Sequence, residues 1–183
     1  MPALEFPITT ERLSLRPYRE SDVERTEAIY SRPDVARYLL HEPLDDETAR
    51  AKVAERIPKS DLDGASGALA LVIERDRLVI GDVHLWFTDR EHRTAEIGWV
   101  LDPAFGGRGY GVEAVRCILA LAFEHYRVRR VAAQMDARNT ASAKLAERAG
   151  MQREAHLREH WWSKGEWTDT VIFGMLPGDR REP

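Results

Sequence analysis

The chain has 183 residues, 43% of them apolar, enough to fill one compact core without disulfides or metals as staples. Its 27 basic and 31 acidic side chains leave a net charge of −4, which argues against a general nucleic-acid or membrane-surface binder. The single cysteine, Cys117, cannot pair internally, no Cys/His cluster suggests a metal, and no apolar run approaches the ~20 residues that span a bilayer. The opening Met-Pro-Ala-Leu-Glu-Phe lacks the basic and apolar regions of a signal peptide, so a cytoplasmic protein is expected.

Leu13 and Leu15 alternate with Arg12, Ser14 and Arg16, which predicts a half-buried first strand. Ser21-Asp22 is a cap for a helix to about Tyr30, Pro33-Asp34 opens a short second helix, and Asp45-Asp46 opens a third over 47–57, ended by Pro58. Strands are predicted over 68–74 and 78–87, joined by a hairpin at Arg75-Asp76-Arg77, and again over 94–101. A glycine loop, 106–111, precedes a strongly periodic helix over 112–125, with Cys117 on its buried side. A strand over 129–135, a helix over 139–149 stopped by Gly150, and strands over 152–162 and 166–175 complete the chain. This order reads as one α/β domain over 1–177 with a mixed, mostly antiparallel sheet flanked by helices, and a polar tail over 178–183.

The loop Gly106-Gly107-Arg108-Gly109-Tyr110-Gly111 is the most informative segment. Glycines let backbone N–H groups approach a ligand, and the following helix adds unpaired donors and its positive end, together an anion site suited to a pyrophosphate. The bland alternative is a flexible turn. No Gly-Lys-Ser/Thr follows, which excludes a nucleotide-triphosphate loop. Gly109-x-Gly111-x-x-Ala114 matches a dinucleotide fingerprint, but it arrives past mid-chain, with too little chain left for a NAD(P) fold.

The loop, the flanking Thr10-Glu11-Arg12-Leu13 and Glu113-Ala114, and Asn139-x-x-Ser142 ahead of Ala149-Gly150-Met151 resemble the GNAT superfamily of acyl-CoA-dependent N-acetyltransferases. Within it they look most like the RimJ/RimL-type branch, which includes ribosomal-protein N-terminal acetyltransferases. Gly106 departs from the Gln or Arg common at that position. The resemblance implies a GNAT fold, acetyl-CoA as donor, and a pyrophosphate held at Gly106, Gly107, Arg108, Gly109, Tyr110, Gly111 and Val112. It implies a pantetheine arm along Trp99, Val100 and Leu101 and near Asn139 and Ser142, with an N–H of Trp99 or Val100 polarising the thioester. Trp99 reads equally as core and Asn139 as a helix cap.

Glu96, mid-strand among apolar residues, is the candidate general base, with His84 second; a salt-bridged or solvent-facing strand residue is the plain alternative. Many family members place a Tyr acid where this chain has Ala146, which leaves Ser142 as the candidate acid. The expected acceptor is a primary amine, on a small molecule or a peptide N-terminus, selected by the early helices and by the hairpin carrying Trp161, Trp162 and Trp167. A homodimer is implied by resemblance only. A non-catalytic acyl-CoA-binding or regulatory module on the same fold is the alternative.

Overall fold

The structure, a computed structural model, describes residues 4–179. In chain order the strands and α-helices are β1 (Ile8–Thr9), β2 (Ser14–Pro17), α1 (Val23–Tyr30), α2 (Pro33–Ala36), α3 (Asp46–Arg56), β3 (Ser60–Asp61) and β4 (Ala68–Arg75). They continue as β5 (Leu78–Asp89), β6 (Thr94–Leu101), α4 (Tyr110–Glu124), β7 (Arg130–Asp136), α5 (Thr140–Ala149), β8 (Gln152–Ser163) and β9 (Glu166–Met175). The strands form a nine-stranded sheet in the order β1-β2-β4-β5-β6-β7-β9-β8, with β3 paired to β4. Every pairing is antiparallel except β6 with β7, so the mixed, mostly antiparallel sheet expected from the sequence is the one observed.

Local chemistry accounts for most boundaries. Asp45 caps α3 by accepting from the Thr48 N–H at 2.9 Å. Asp76 and Arg77, both at positive φ, make the tight turn between β4 and β5. Gly150 at φ 102° ends α5. Three expectations need correction. Asp22 does not cap α1: its buried carboxylate grips the Arg16 guanidinium at 2.8 and 2.9 Å, and the chain enters α1 through a short 3-10 turn. Helix α4 begins at Tyr110 rather than 112, which draws Gly111 into its first turn. Gly178 and Asp179, expected in the loose tail, close a 3-10 turn in which Asp179 accepts from Leu176 and Gln152; residues 180–183 lie outside the described residues.

The two sheet faces are covered unequally. Helices α4 and α5 pack on one face over a large apolar cluster that includes Leu71, Leu85, Ile97, Ile118 and Phe173. On the α1/α3 face the apolar cluster is only Tyr18, Val53, Ala70, Val72 and Val79. Buried polar side chains fill the rest of that face: Arg16 pairs with Asp22 and Glu74, and Arg56 with Asp82. No helix among the described residues is long and apolar enough to cross a membrane.

Candidate active site

The parallel pairing of β6 and β7 covers Thr94↔Arg130, Ala95↔Val131 and Glu96↔Ala132, and then stops. Beyond it β6 stays bonded to β5 and β7 to β9, so the strands splay and their facing edges have no strand partner. A cavity of about 240 Å³ occupies this wedge. Gly98, Trp99 and Val100 line it from β6, Ala133, Gln134 and Met135 from β7, and Asn139 and Ser142 from the start of α5. Trp99 both lines the wedge and packs on the main core. Leu101 is not among the cavity residues; it too packs on the main core, beside Gly111.

Close packing of β5 against β6 supports this edge. A Cβ on Gly81 would fall on the Val100 carbonyl oxygen, so only glycine fits there. Nothing in the local sequence marks Gly81; its role depends on the pairing with Leu101.

The glycine loop leads from β6 into α4. Among the described residues, the backbone N–H groups of 107–112 donate to no protein acceptor, while Gly106 and Glu113 are bonded to Pro103 and Gly109 carbonyls. Gly107 and Gly109 need their positive φ of 74° and 83°. Gly111 has a different job: a Cβ there would lie 2.6 Å from Leu145 Cδ1, so its smallness lets α4 and α5 approach. The Tyr110 side chain turns into the core, with the Arg12 and Arg75 guanidinium groups each 4.8 Å from its ring centroid. Arg108, Gly106 and Val112 complete the segment without a side-chain contact that fixes a ligand role. A brace from β1–β2, not foreseen as a unit, holds the loop: Glu113 accepts from Thr10 Oγ1 at 2.6 Å and from Arg12, whose Nη1 donates to the Arg108 carbonyl at 3.0 Å.

At the N-terminus of α5, Asn139 accepts from the Ser142 N–H at 3.1 Å, so the capping role is realised while both residues line the wedge. The Ser142 hydroxyl makes no hydrogen bond to a described residue. Ala146 is fully buried in the core. Cys117, expected in the core, is only half-buried, and burial pushes its thiol pKa up.

Glu96 marks the point where the strands part. Its side chain, half-buried, accepts from Gln134 Nε2 at 3.1 Å. Burial raises its pKa above the usual carboxylate range, against the opposing Gln134 bond. It lines a second opening of about 470 Å³, bounded also by Tyr38, Asp136, Trp161, Lys164 and Thr170. The two openings share Tyr38, Leu39, Gln134 and Met135. His84 pairs with Gly98 across β5 and β6 and lines the wedge, its pKa pushed down to about 3 by burial and by Arg56. At the start of α3, Asp45 caps the helix and Asp46 pairs with Arg50. Trp162 and Trp167 pack edge to face at 5.5 Å near the hairpin turn, and both are exposed.

A splayed parallel pair beside a glycine-rich helix N-terminus is an arrangement that can be compared with known proteins. The model of the acetyltransferase (GNAT) domain matches residues 12–152. The chain belongs to the GNAT acetyltransferase family. A GNAT-family acetyltransferase from Bacillus anthracis has a crystal structure that superposes with a TM-score of 0.83 at 26% identity, over 92% of this chain and 97% of that one. N-acetyltransferase p20 of Bacillus licheniformis, itself uncharacterized, is 29% identical over 167 residues, 91% of this chain and 94% of the relative. The GNAT fold of RimL, the ribosomal L7/L12 alpha-N-protein acetyltransferase in complex with coenzyme A, superposes with a TM-score of 0.83. That likeness covers 94% of this chain and 98% of RimL at 19% identity, and it shows the fold alone.

Proposed function

We propose that the protein moves an acetyl group from acetyl-CoA to a primary amine by direct attack in a ternary complex. The observation that carries this reading is the wedge, where two unpaired strand edges meet beside a run of unpaired N–H groups at the N-terminus of α4. Acetyl-CoA supplies the acetyl group as an activated thioester. The N–H groups of 107–112 suit its pyrophosphate, because aligned donors and the helix dipole both favour negative charge. The open edge of β6 beyond Gly98 offers its pantetheine arm a strand partner, with Asn139 and Ser142 on the opposite wall. An N–H of Trp99 or Val100 aimed at the developing oxyanion contributes ~3 kcal/mol.

Glu96 takes the proton of the attacking amine. Its raised pKa brings it nearer the working pH, whereas an imidazole at about 3 makes His84 a poor base. The unbonded hydroxyl of Ser142, which lines the wedge, gives the departing sulfur a proton donor. Thr10, Arg12 and Glu113, among the flanking residues on which the chain resembles the RimJ/RimL-type branch, are joined by hydrogen bonds. A second reading, acyl-CoA binding without catalysis, draws on Ala146 alone.

Calorimetric titration with acetyl-CoA, with NADH in parallel, followed by a thiol-release assay across amines, tests the proposal. Saturable acetyl-CoA binding and amine-dependent thiol release are expected. Binding without release would favour the second reading, and no binding would overturn both.

A further inference from the structure

The α1/α3 face of the wedge carries a charge with no ion-pair partner among the described residues. Lys52 of α3 reaches the cavity with Nζ 4.8 Å from the Tyr30 ring centroid, and no described carboxylate lies within ion-pair distance of it. Its neighbour Arg56 is already engaged: it pairs with Asp82 at 3.2 Å, and Asp82 also accepts from the Tyr30 hydroxyl at 2.7 Å. His84, in the same wall, is held neutral, and its Nε2 is shut from water without a hydrogen-bond partner. Lys52 and Arg56 set against Asp82 leave one surplus positive charge, since Glu55 is taken up by Lys59. Burial, reinforced by Arg56, drives the Lys52 pKa down to about 8, the signature of an ammonium that lacks an acceptor.

We propose that the acceptor carries a carboxylate beside its amine, as a free amino acid does, and that Lys52 receives that carboxylate while the amine faces Glu96. The inference rests on the acetyl-transfer reading above and adds the substrate class. One surplus cation matches one singly charged group. Tyr38, Leu39, Gln134 and Met135 line both openings, so the one that holds Lys52 adjoins the one that holds Glu96. A polyamine finds no acidic surplus, because around the second opening Glu96, Asp136 and Glu166 are offset by Arg37, Arg138 and Lys164.

Two measurements test this. The first is kcat/KM for the common amino acids, each as the free carboxylate and as its α-amide, with the native protein, Lys52→Met and Lys52→Arg. At least one free acid should exceed its amide by ~10–100-fold in the native protein, the range of a charge-assisted hydrogen bond. That ratio should fall to about one in Lys52→Met and recover in part in Lys52→Arg. The second is calorimetric binding of the corresponding N-acetylamino acids in the presence of CoA, which needs no turnover, with thermal melting to confirm that each variant folds. If amides or peptide N-termini are acetylated as well as free acids, or if Lys52→Met keeps the native ratio, the carboxylate proposal falls and the acetyl-transfer reading stands. If carboxylate binding depends on Lys52 but no amine is acetylated, the reverse holds. Neither binding nor transfer overturns both.

Discussion

The two faces of the sheet obey different rules. The α4/α5 face is an apolar core in which Leu85, Ile97, Ile118 and Phe173 exclude water and contribute stability through area and packing. The α1/α3 face buries Arg16, Asp22, Arg56 and Asp82 over a much smaller apolar cluster. Buried ion pairs add little net stability over well-packed apolar residues of the same volume, because desolvation offsets most of the attraction. One face is therefore arranged for stability and the other for placing charge along the wedge, and the strand register decides which side chain serves which purpose.

Breaking the chemistry at the meeting point of the faces gives the largest expected effect. Glu96→Gln should lower kcat/KM for an amine by ~10²–10⁴-fold, the usual contribution of a positioned general base. In the native protein the rate should rise with pH through a midpoint above the usual carboxylate range, since the base acts only when ionised; in Glu96→Gln that limb should vanish from the pH–rate profile.

Next comes the buried network. Asp82→Ala leaves the Arg56 charge and the Tyr30 hydroxyl uncompensated and should cost about 3–5 kcal/mol in denaturant melts. Burial works to raise the Asp82 pKa, but Arg56 and the other neighbours hold it below the usual value. A group depressed in this way contributes stability above its unfolded pKa of ~3.9 and loses it as pH falls through the folded value. Native stability should therefore fall on acidification in that window, and the fall should be smaller in Asp82→Ala.

Gly81→Ala pushes a methyl against the Val100 carbonyl. It should cost about 1–3 kcal/mol and weaken acetyl-CoA binding in titration, because the edge that moves is the one facing the wedge.

The smallest effect has the opposite sign. Lys52→Met removes a half-buried ammonium and should raise stability at neutral pH by about 1–2 kcal/mol in thermal melts. With a folded pKa of about 8 and an unfolded one of ~10.4, the unfolded chain holds more protons between those values, so native stability rises with pH there. The advantage of Lys52→Met should fade across that window. A stabilising substitution that erases substrate discrimination would separate the two faces most sharply.

Local patterns carried much of this in the sequence. Period-2 alternation marked the first strand, Asp45 and Gly150 marked helix ends, and the run of glycines marked the loop. Residues whose roles depend on distant partners were not legible. Asp22 looks like a cap from its neighbours, yet Arg16 claims it. Gly111 looks like one more phosphate-loop glycine, yet the Leu145 side chain of α5 packs against it. Nothing in the local sequence marks Lys52; its place in the wedge with Asp82 and His84 depends on how α3 packs on β5. The insertion of β9 between β7 and β8, and the parting of β6 from β7 after Glu96, are non-local events with no turn or propensity to announce them.

That parting has a mechanical consequence. The two halves of the sheet, β1 to β6 and β7 with β9 and β8, are joined as strands by three residue pairs alone. Any ligand in the wedge touches both halves and becomes a rung of the missing ladder, so its binding energy also acts as a clamp across the seam. By mass action a ligand at a hundred times its Kd adds ~2.7 kcal/mol to the folded state. The supply of that ligand then sets how firmly the halves are held, and amide exchange along β6 beyond Glu96 and β7 beyond Ala132 becomes a gauge of it.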